Sequence, residues 1–204
     1  MTARVCTNLN FLAGAYFSGS FFMNSYDIDL TMNVGTESIE EQNIALERIK
    51  HLVHEVLTDA IFINQSETQM IEKYSSANLK VCSLPEDPYD QVIGIMLMVK
   101  INAIAEGRLL LTDIQIGSAL SDGVSCMVEV EDNIGPFMSH GWWNECSCKI
   151  NDVKVKNSSK KVVKLVKPKT DWSDIYLAWD NNKTKTLTPN SEVLFASFDN
   201  KTET

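Results

Sequence analysis

The ten residues "SHGWWNECSC", 139–148, bring together a histidine, two tryptophans, a carboxylate and two thiols. Thiolate and imidazole are the commonest soft metal ligands and good nucleophiles, so a metal centre or a thiol site is the chemistry to test first. The spacing argues against both. Cys146 and Cys148 form C-x-C, not the C-x-x-C of zinc knuckles and thiol oxidoreductases, and no second cysteine pair lies nearby. A zinc site would have to combine His140 with a ligand from far along the chain. Trp142 and Trp143 read instead as large apolar anchors whose ring N–H groups need acceptors. In a strand-like "CSCKI", Cys146, Cys148 and Ile150 share one face. The expectation is packing at a junction or a subunit contact, with no metal and no cofactor.

Two further groups carry chemical side chains. "ERIKHLVHE" sets Glu47, His51, His54 and Glu55 on neighbouring helical turns, but "HLVHE" has neither the H-E-x-x-H nor the H-x-x-E-H order of zinc proteases, and these positions lie opposite the apolar stripe. "KVKNSSKKVVKLVKPK", 154–169, carries seven lysines. Lys160, Lys161, Lys164 and Lys167 are candidates for binding an acidic partner, or else they guard the wet face of a strand edge. No arginine accompanies them, so bidentate base reading is not indicated. Phosphate-loop, dinucleotide and serine-hydrolase motifs are missing from the sequence.

The elements that must position these residues follow from periodicity. "YDIDLTMNV" alternates Tyr26, Ile28, Leu30, Met32 and Val34 with polar residues, which is a strand with one wet face. Upstream "FLAGAYFSGSFF" holds the turn Ser18-Gly19-Ser20, predicting an opening hairpin. "TESIEEQNIALERIKHLVHEVLTDA" is an amphipathic helix with early acids; "AIFI" continues it or forms a short strand, and "ETQMIEKYSSANL" is a shorter helix or lid. Asp87 as cap and Pro88 at the first helical position predict a helix reaching Gly107, apolar nearly all round and hence buried between layers. "RLLLTDIQIGSAL", "SDG" and "VSCMVEVED" predict a second hairpin, with Val124, Cys126, Val128 and Val130 on one face. After residue 150, β-branched runs alternate with turn signals, a small β-rich addition. The predicted class is α+β, with antiparallel hairpins packed with two or three helices, divided into a core over 1–135 and an extension over 136–204.

Charge and size bound the function. The 204 residues have a net charge of −9 and 44% hydrophobic positions, enough for one substantial core. Residues 1–150 hold 8 basic and 20 acidic side chains, net −12, and residues 151–204 hold 10 and 7, net +3. A broad nucleic-acid footprint is disfavoured. The most apolar run, "VIGIMLMV", has eight residues and does not span a bilayer. Five cysteines without a regular framework point to reduced thiols in a soluble protein.

The β-β-α-α-β-β order over about residues 10–132 resembles the tunnelling fold of pterin- and purine-handling enzymes. That resemblance implies edge-to-edge homo-oligomers and a planar heterocycle held between subunits by a glutamate, for which Glu106 or Glu129 would be the candidates. In its nitrile-reductase branch a cysteine and an aspartate act, and Cys82, just before "SLPED", is the loose counterpart of that cysteine. The histidine triad of the zinc-dependent synthases has no counterpart here. Separately, "EQNIALERIKHLV", "LPEDPYDQ", "NAIAEGRLLLTDI" and "GWWN" resemble uncharacterised proteins of large tailed bacteriophages. The leading expectation is therefore a non-catalytic, self-assembling structural or accessory phage protein acting through oligomer surfaces. It would reside in the host cell cytoplasm, with virion association as an alternative and other phage or host proteins as partners. Against it stand a purine- or pterin-binding protein or enzyme with an inter-subunit pocket, and an adaptor using the lysine-rich segment.

Overall fold

A computed structural model describes residues 3–150 and 171–179. Its centre is a six-stranded sheet in the order β4-β3-β1-β2-β5-β6. The strands β1 (Arg4–Phe17) and β2 (Ser20–Val34) form the opening hairpin, and β5 (Leu109–Ser118) and β6 (Ser125–Glu129) the second. Between the hairpins run α1 (Ile39–His51), β3 (Ala60–Asn64), α2 (Thr68–Ser76), β4 (Lys80–Leu84) and α3 (Asp90–Ala105). The expected β-β-α-α-β-β order is present, with β3-α2-β4 inserted between its two main helices. This insertion extends the sheet beyond β1 in parallel, through β1·β3 and β3·β4 pairings.

Alternation sets the layers. Tyr26, Ile28, Leu30 and Met32 are buried under α1 and α3, while Asp27 and Asp29 stand on the opposite face, which α2 covers only at its β3–β4 end through Ile63, Ile71 and Val81. Asn8 Nδ2 donates to Asp29 Oδ1 at 2.9 Å across that open face. The α1 helix is capped by Ser38, whose Oγ accepts from the Glu41 N–H at 3.3 Å, with Glu40 and Glu41 in the first turn. It widens into a π-helical stretch, Leu52–Leu57, and "AIFI" then leaves it as the buried strand β3.

The apolar α3 lies between layers and is buried on most sides. The polar residues of its second half, Lys100 and Asn102, find partners. Lys100 donates to the carbonyls of Trp142 and Glu145, both at 2.8 Å, and Asn102 exchanges two hydrogen bonds with the backbone of Leu111 at 2.8 and 3.2 Å. Its start differs from the sequence expectation. The helix begins at Asp90 with Tyr89 as its cap, because Asp87 accepts from Asn64 Nδ2 at 2.9 Å and so ties the loop to β3 instead.

The second hairpin is shorter than its pattern predicts. Only Cys126 and Val128 of the four expected residues turn inward on β6; Val124 and Val130 are exposed beyond its ends. "CSCKI" forms no strand but follows a single 3₁₀ turn, Trp142–Asn144. Phe137, Trp142, Trp143, Cys148 and Trp172 belong to the same buried cluster as the sheet and helices. Most of the expected β-rich addition, including Lys160, Lys161, Lys164 and Lys167, lies outside the described residues.

Candidate functional site

The stretch 139–148 is filled by packing. Trp142 is fully buried, and its indole N–H donates to the Ser83 carbonyl at 2.8 Å. The Trp143 N–H is shared between the carbonyls of Phe137 and Ser139 at 3.2 and 3.1 Å. Its ring lies against Gly141 so closely that an added Cβ there would meet it at 2.4 Å. His140 and Cys146 are exposed while Cys148 is buried, its thiol pushed up to about 11 by burial. Among the described residues no three His, Cys, Asp or Glu side chains are placed to hold a metal ion.

The heterocycle candidates inferred from resemblance sit in three different places. Glu106 is the left-handed cap of α3, and its Oε1 accepts from Arg48 Nη1 at 2.8 Å and from the Trp179 indole at 2.9 Å. Glu129 stands exposed on β6, opposite Asp113. Cys82 is fully buried on β4, and burial pushes its thiol pKa well up. None of the three lines either hollow described below.

What the fold does assemble is a cleft of about 370 Å³ where the tips of the two hairpins meet the start of α3. That volume falls in the ordinary range for small-molecule sites. Phe17 from the first turn and Tyr89 from the helix cap form one wall, with ring centroids 5.3 Å apart. The floor is Tyr26, stacked on Phe11 at 5.0 Å and edge-on to Phe62 at 5.9 Å, so the ring is fixed. Its hydroxyl is buried and has no hydrogen-bond partner. Burial pushes the Tyr26 pKa up to about 12, partly offset by the adjacent Asn24 amide, which stands close without hydrogen-bond geometry to the hydroxyl. The group is therefore a protonated donor at neutral pH.

The polar rim is ordered around it. Asn24 Oδ1 accepts from the Leu120 N–H at 3.2 Å, which fixes its amide. Ser118 and Ser121 share a hydroxyl hydrogen bond at 2.7 Å, and Ser121 donates to the Asp90 carboxylate. No side chain caps α3, so its first-turn N–H groups have no side-chain acceptor. Pattern reading missed this site because Tyr26 looks like any core aromatic in an alternating strand. Its only sequence signal is a polar tip on an inward-facing position.

A second hollow, of about 410 Å³, runs beside Glu47, Lys50, His51, His54 and Glu55 over Ile175 and Leu177. Burial lowers the His51 pKa and Glu55 raises it; Lys50 is paired with Glu47 at 2.7 Å. Among the described residues nothing buried and unpartnered lines it.

Fold and cleft together define an α+β protein with a preformed, aromatic-walled pocket at the open N-terminus of its central helix. No known family model matches the chain, and no curated protein is similar to it. Among solved structures it is similar to the uncharacterized protein WS1659 from Wolinella succinogenes, at 8% identity and a TM-score of 0.45 over 64% of this chain and 99% of that one. It is also similar to the 6-pyruvoyl tetrahydropterin synthase from Plasmodium vivax, at 10% identity, TM-score 0.40, over 63% and 97%. The synthase from Plasmodium falciparum matches at 9% identity, TM-score 0.36, over 62% and 96%.

Proposed function

We propose that the protein binds a small planar heterocycle of the purine or pterin kind in the cleft at the start of α3. The observation that carries this reading is the buried, unpartnered Tyr26 hydroxyl on the cleft floor. An unmade buried hydrogen bond costs about 1–3 kcal/mol, and a ligand acceptor placed there recovers it. Phe17 and Tyr89 offer ring faces for stacking, the Asn24 amide a further donor, and Asp90 with Ser121 an acceptor pair for ring N–H groups. Binding is the claim; no reaction is assigned.

The test is isothermal titration with guanine, hypoxanthine and unsubstituted pterin, repeated on Tyr26→Phe. At least one compound saturates the wild-type protein, and removing the hydroxyl weakens it roughly tenfold, as the loss of one buried hydrogen bond requires. No saturable binding of any of the three up to their solubility limits would refute the reading.

A structural or accessory phage role through oligomer surfaces is the second reading, favoured by the long uncharged stretch around the turn of the opening hairpin. Residues 5–26 contain no charged side chain. Among the described residues no helix is long and apolar enough to cross a membrane.

A further inference from the structure

The opening hairpin reaches further than the strand beside it. β2 pairs with β1 along its whole length, from Ser20↔Phe17 onward, but β5 joins it only at Tyr26↔Ser118. Among the described residues, Ser20–Ser25 therefore form an arm with one unpaired edge. In a hairpin closed by the two-residue turn Ser18-Gly19, both at positive φ, Phe17 and Ser20 are the hydrogen-bonded pair. Backbone groups then point alternately, so the N–H and C=O of Phe21 and Met23 face away from β1. Beyond them the edge is closed: the turn between β5 and β6 lies against Asn24, whose Oδ1 takes the Leu120 N–H.

The side chains on this arm are covered only in part, Phe21 by the Tyr74 ring with centroids 6.3 Å apart and Phe22 by the Phe17 ring at 5.3 Å. Phe21 is 46% exposed and Met23 57% exposed on the open face of the sheet, where Leu12 adds a further exposed apolar residue. Leu120 and Val124 flank the edge, also exposed. Edge strands are normally guarded by lysine, proline or a bulge. Here Arg4 and Asp27 are the nearest charges on either side of the arm in sequence. A contiguous apolar edge of this kind is an interface feature.

We infer that the arm pairs with the same arm of a second copy, antiparallel across a two-fold axis centred on Phe22. The edge is complementary to itself in that one register. Phe21 faces Met23 of the other copy and Met23 faces Phe21, so all four outward backbone groups on each arm are satisfied by identical partners. Neither charge nor proline opposes the approach. Phe22 then meets its own symmetry mate as a non-hydrogen-bonded pair, with Cα atoms about 4.5 Å apart. The two sheets become one, and the clefts of both copies open beside the joint. This pairing stands on the arm alone and does not depend on the heterocycle reading.

The experiment is native mass spectrometry at tens of micromolar on the wild type, Met23→Pro and Phe22→Cys. The wild type carries an even number of copies. Met23→Pro, which deletes an outward N–H, halves that number while retaining a cooperative melt. Phe22→Cys, mildly oxidised, gives a disulfide-linked pair on a non-reducing gel that the wild type, with its own exposed Cys6 and Cys146, does not give. A monomeric wild type would overturn the inference and leave the edge to an extended peptide of another protein. An undiminished copy number in Met23→Pro, together with no cross-link through Cys at position 22, would overturn it as well.

Discussion

Lys100 shows how much a single position carries. It is fully buried, donates to two carbonyls of the 142–145 turn and lies 5.5 Å from the Trp142 ring centre, so an ammonium stitches that turn to α3. Burial lowers its pKa to about 8, with Glu145 opposing the shift. The unfolded chain then binds the proton more tightly than the folded one, and stability gains as pH rises from about 8 toward 10.5. The full shift corresponds to a few kcal/mol at most. Cys82 and Cys148 act in the opposite sense, because their thiols are raised in the fold and the unfolded thiolates form first. Urea midpoints at pH 7, 8.5 and 10 for the wild type and Lys100→Met separate the two: the difference between the proteins shifts in favour of the wild type with rising pH. A pH-independent difference would mean that the folded amine titrates where the unfolded one does and stays charged through the range. The need for a partner at position 100 was legible from an apolar helix with one lysine; the partner was not, because it is a backbone turn over forty residues away.

Between elements, the segment 171–179 acts as a clasp. Arg48, buried on α1, has its guanidinium 3.6 Å from the ring centre of Trp179 and 4.7 Å from that of Trp172. It donates to the carbonyls of Leu177 and Ile104 and to Glu106, which also holds Trp179. Arg48→Ala removes this donor from all three acceptors and costs about 3 kcal/mol, read from denaturant midpoints. Glu106 poses a sharper competition. Its φ of 48° is left-handed, so glycine there relieves roughly 1 kcal/mol of strain. The substitution also strips an acceptor from a buried cation, worth about 1.5–3 kcal/mol, and the second effect wins. Glu106→Gly is thus expected to lower stability, with Glu106→Gln between it and the wild type; a stabilised Glu106→Gly would show that the clasp contributes little. The alternation of β2 and the apolar girth of α3 made those elements readable. The start of α3 was not, since Asp87 is consumed by Asn64 across the fold, and neither was β4, five residues whose pairing to β3 is purely tertiary.

At the scale of the molecule, the hairpins and main helices follow from local pattern, whereas the insertion was legible only in part: "ETQMIEKYSSANL" reads as the short helix that α2 is and "AIFI" as helix or strand, but nothing local gives β4 or the parallel pairing. Its parallel register with β1 covers only Gly14–Tyr16, and its own small cluster is Ile63, Ile71 and Val81 with Tyr16, Met70 and Tyr74. The cleft was invisible for the same reason: its walls come from residues 15–26, 88–91 and 118–126, joined only when both hairpins stand side by side. The mixed sheet has a consequence in time. A two-residue turn closes β1 onto β2 at once, but β3 must find β1 across some forty-five intervening residues and holds it through three pairs. Loop closure of that kind comes late. The insertion is accordingly the last part to fold and the first to let go. Backbone amides of β3 and β4 should exchange with deuterium ahead of those in β2 and β5, and Ile63→Ala should speed unfolding while leaving the refolding rate nearly untouched. The sheet has two clocks, one wound by the hairpins and a slower one by the parallel strands at its side.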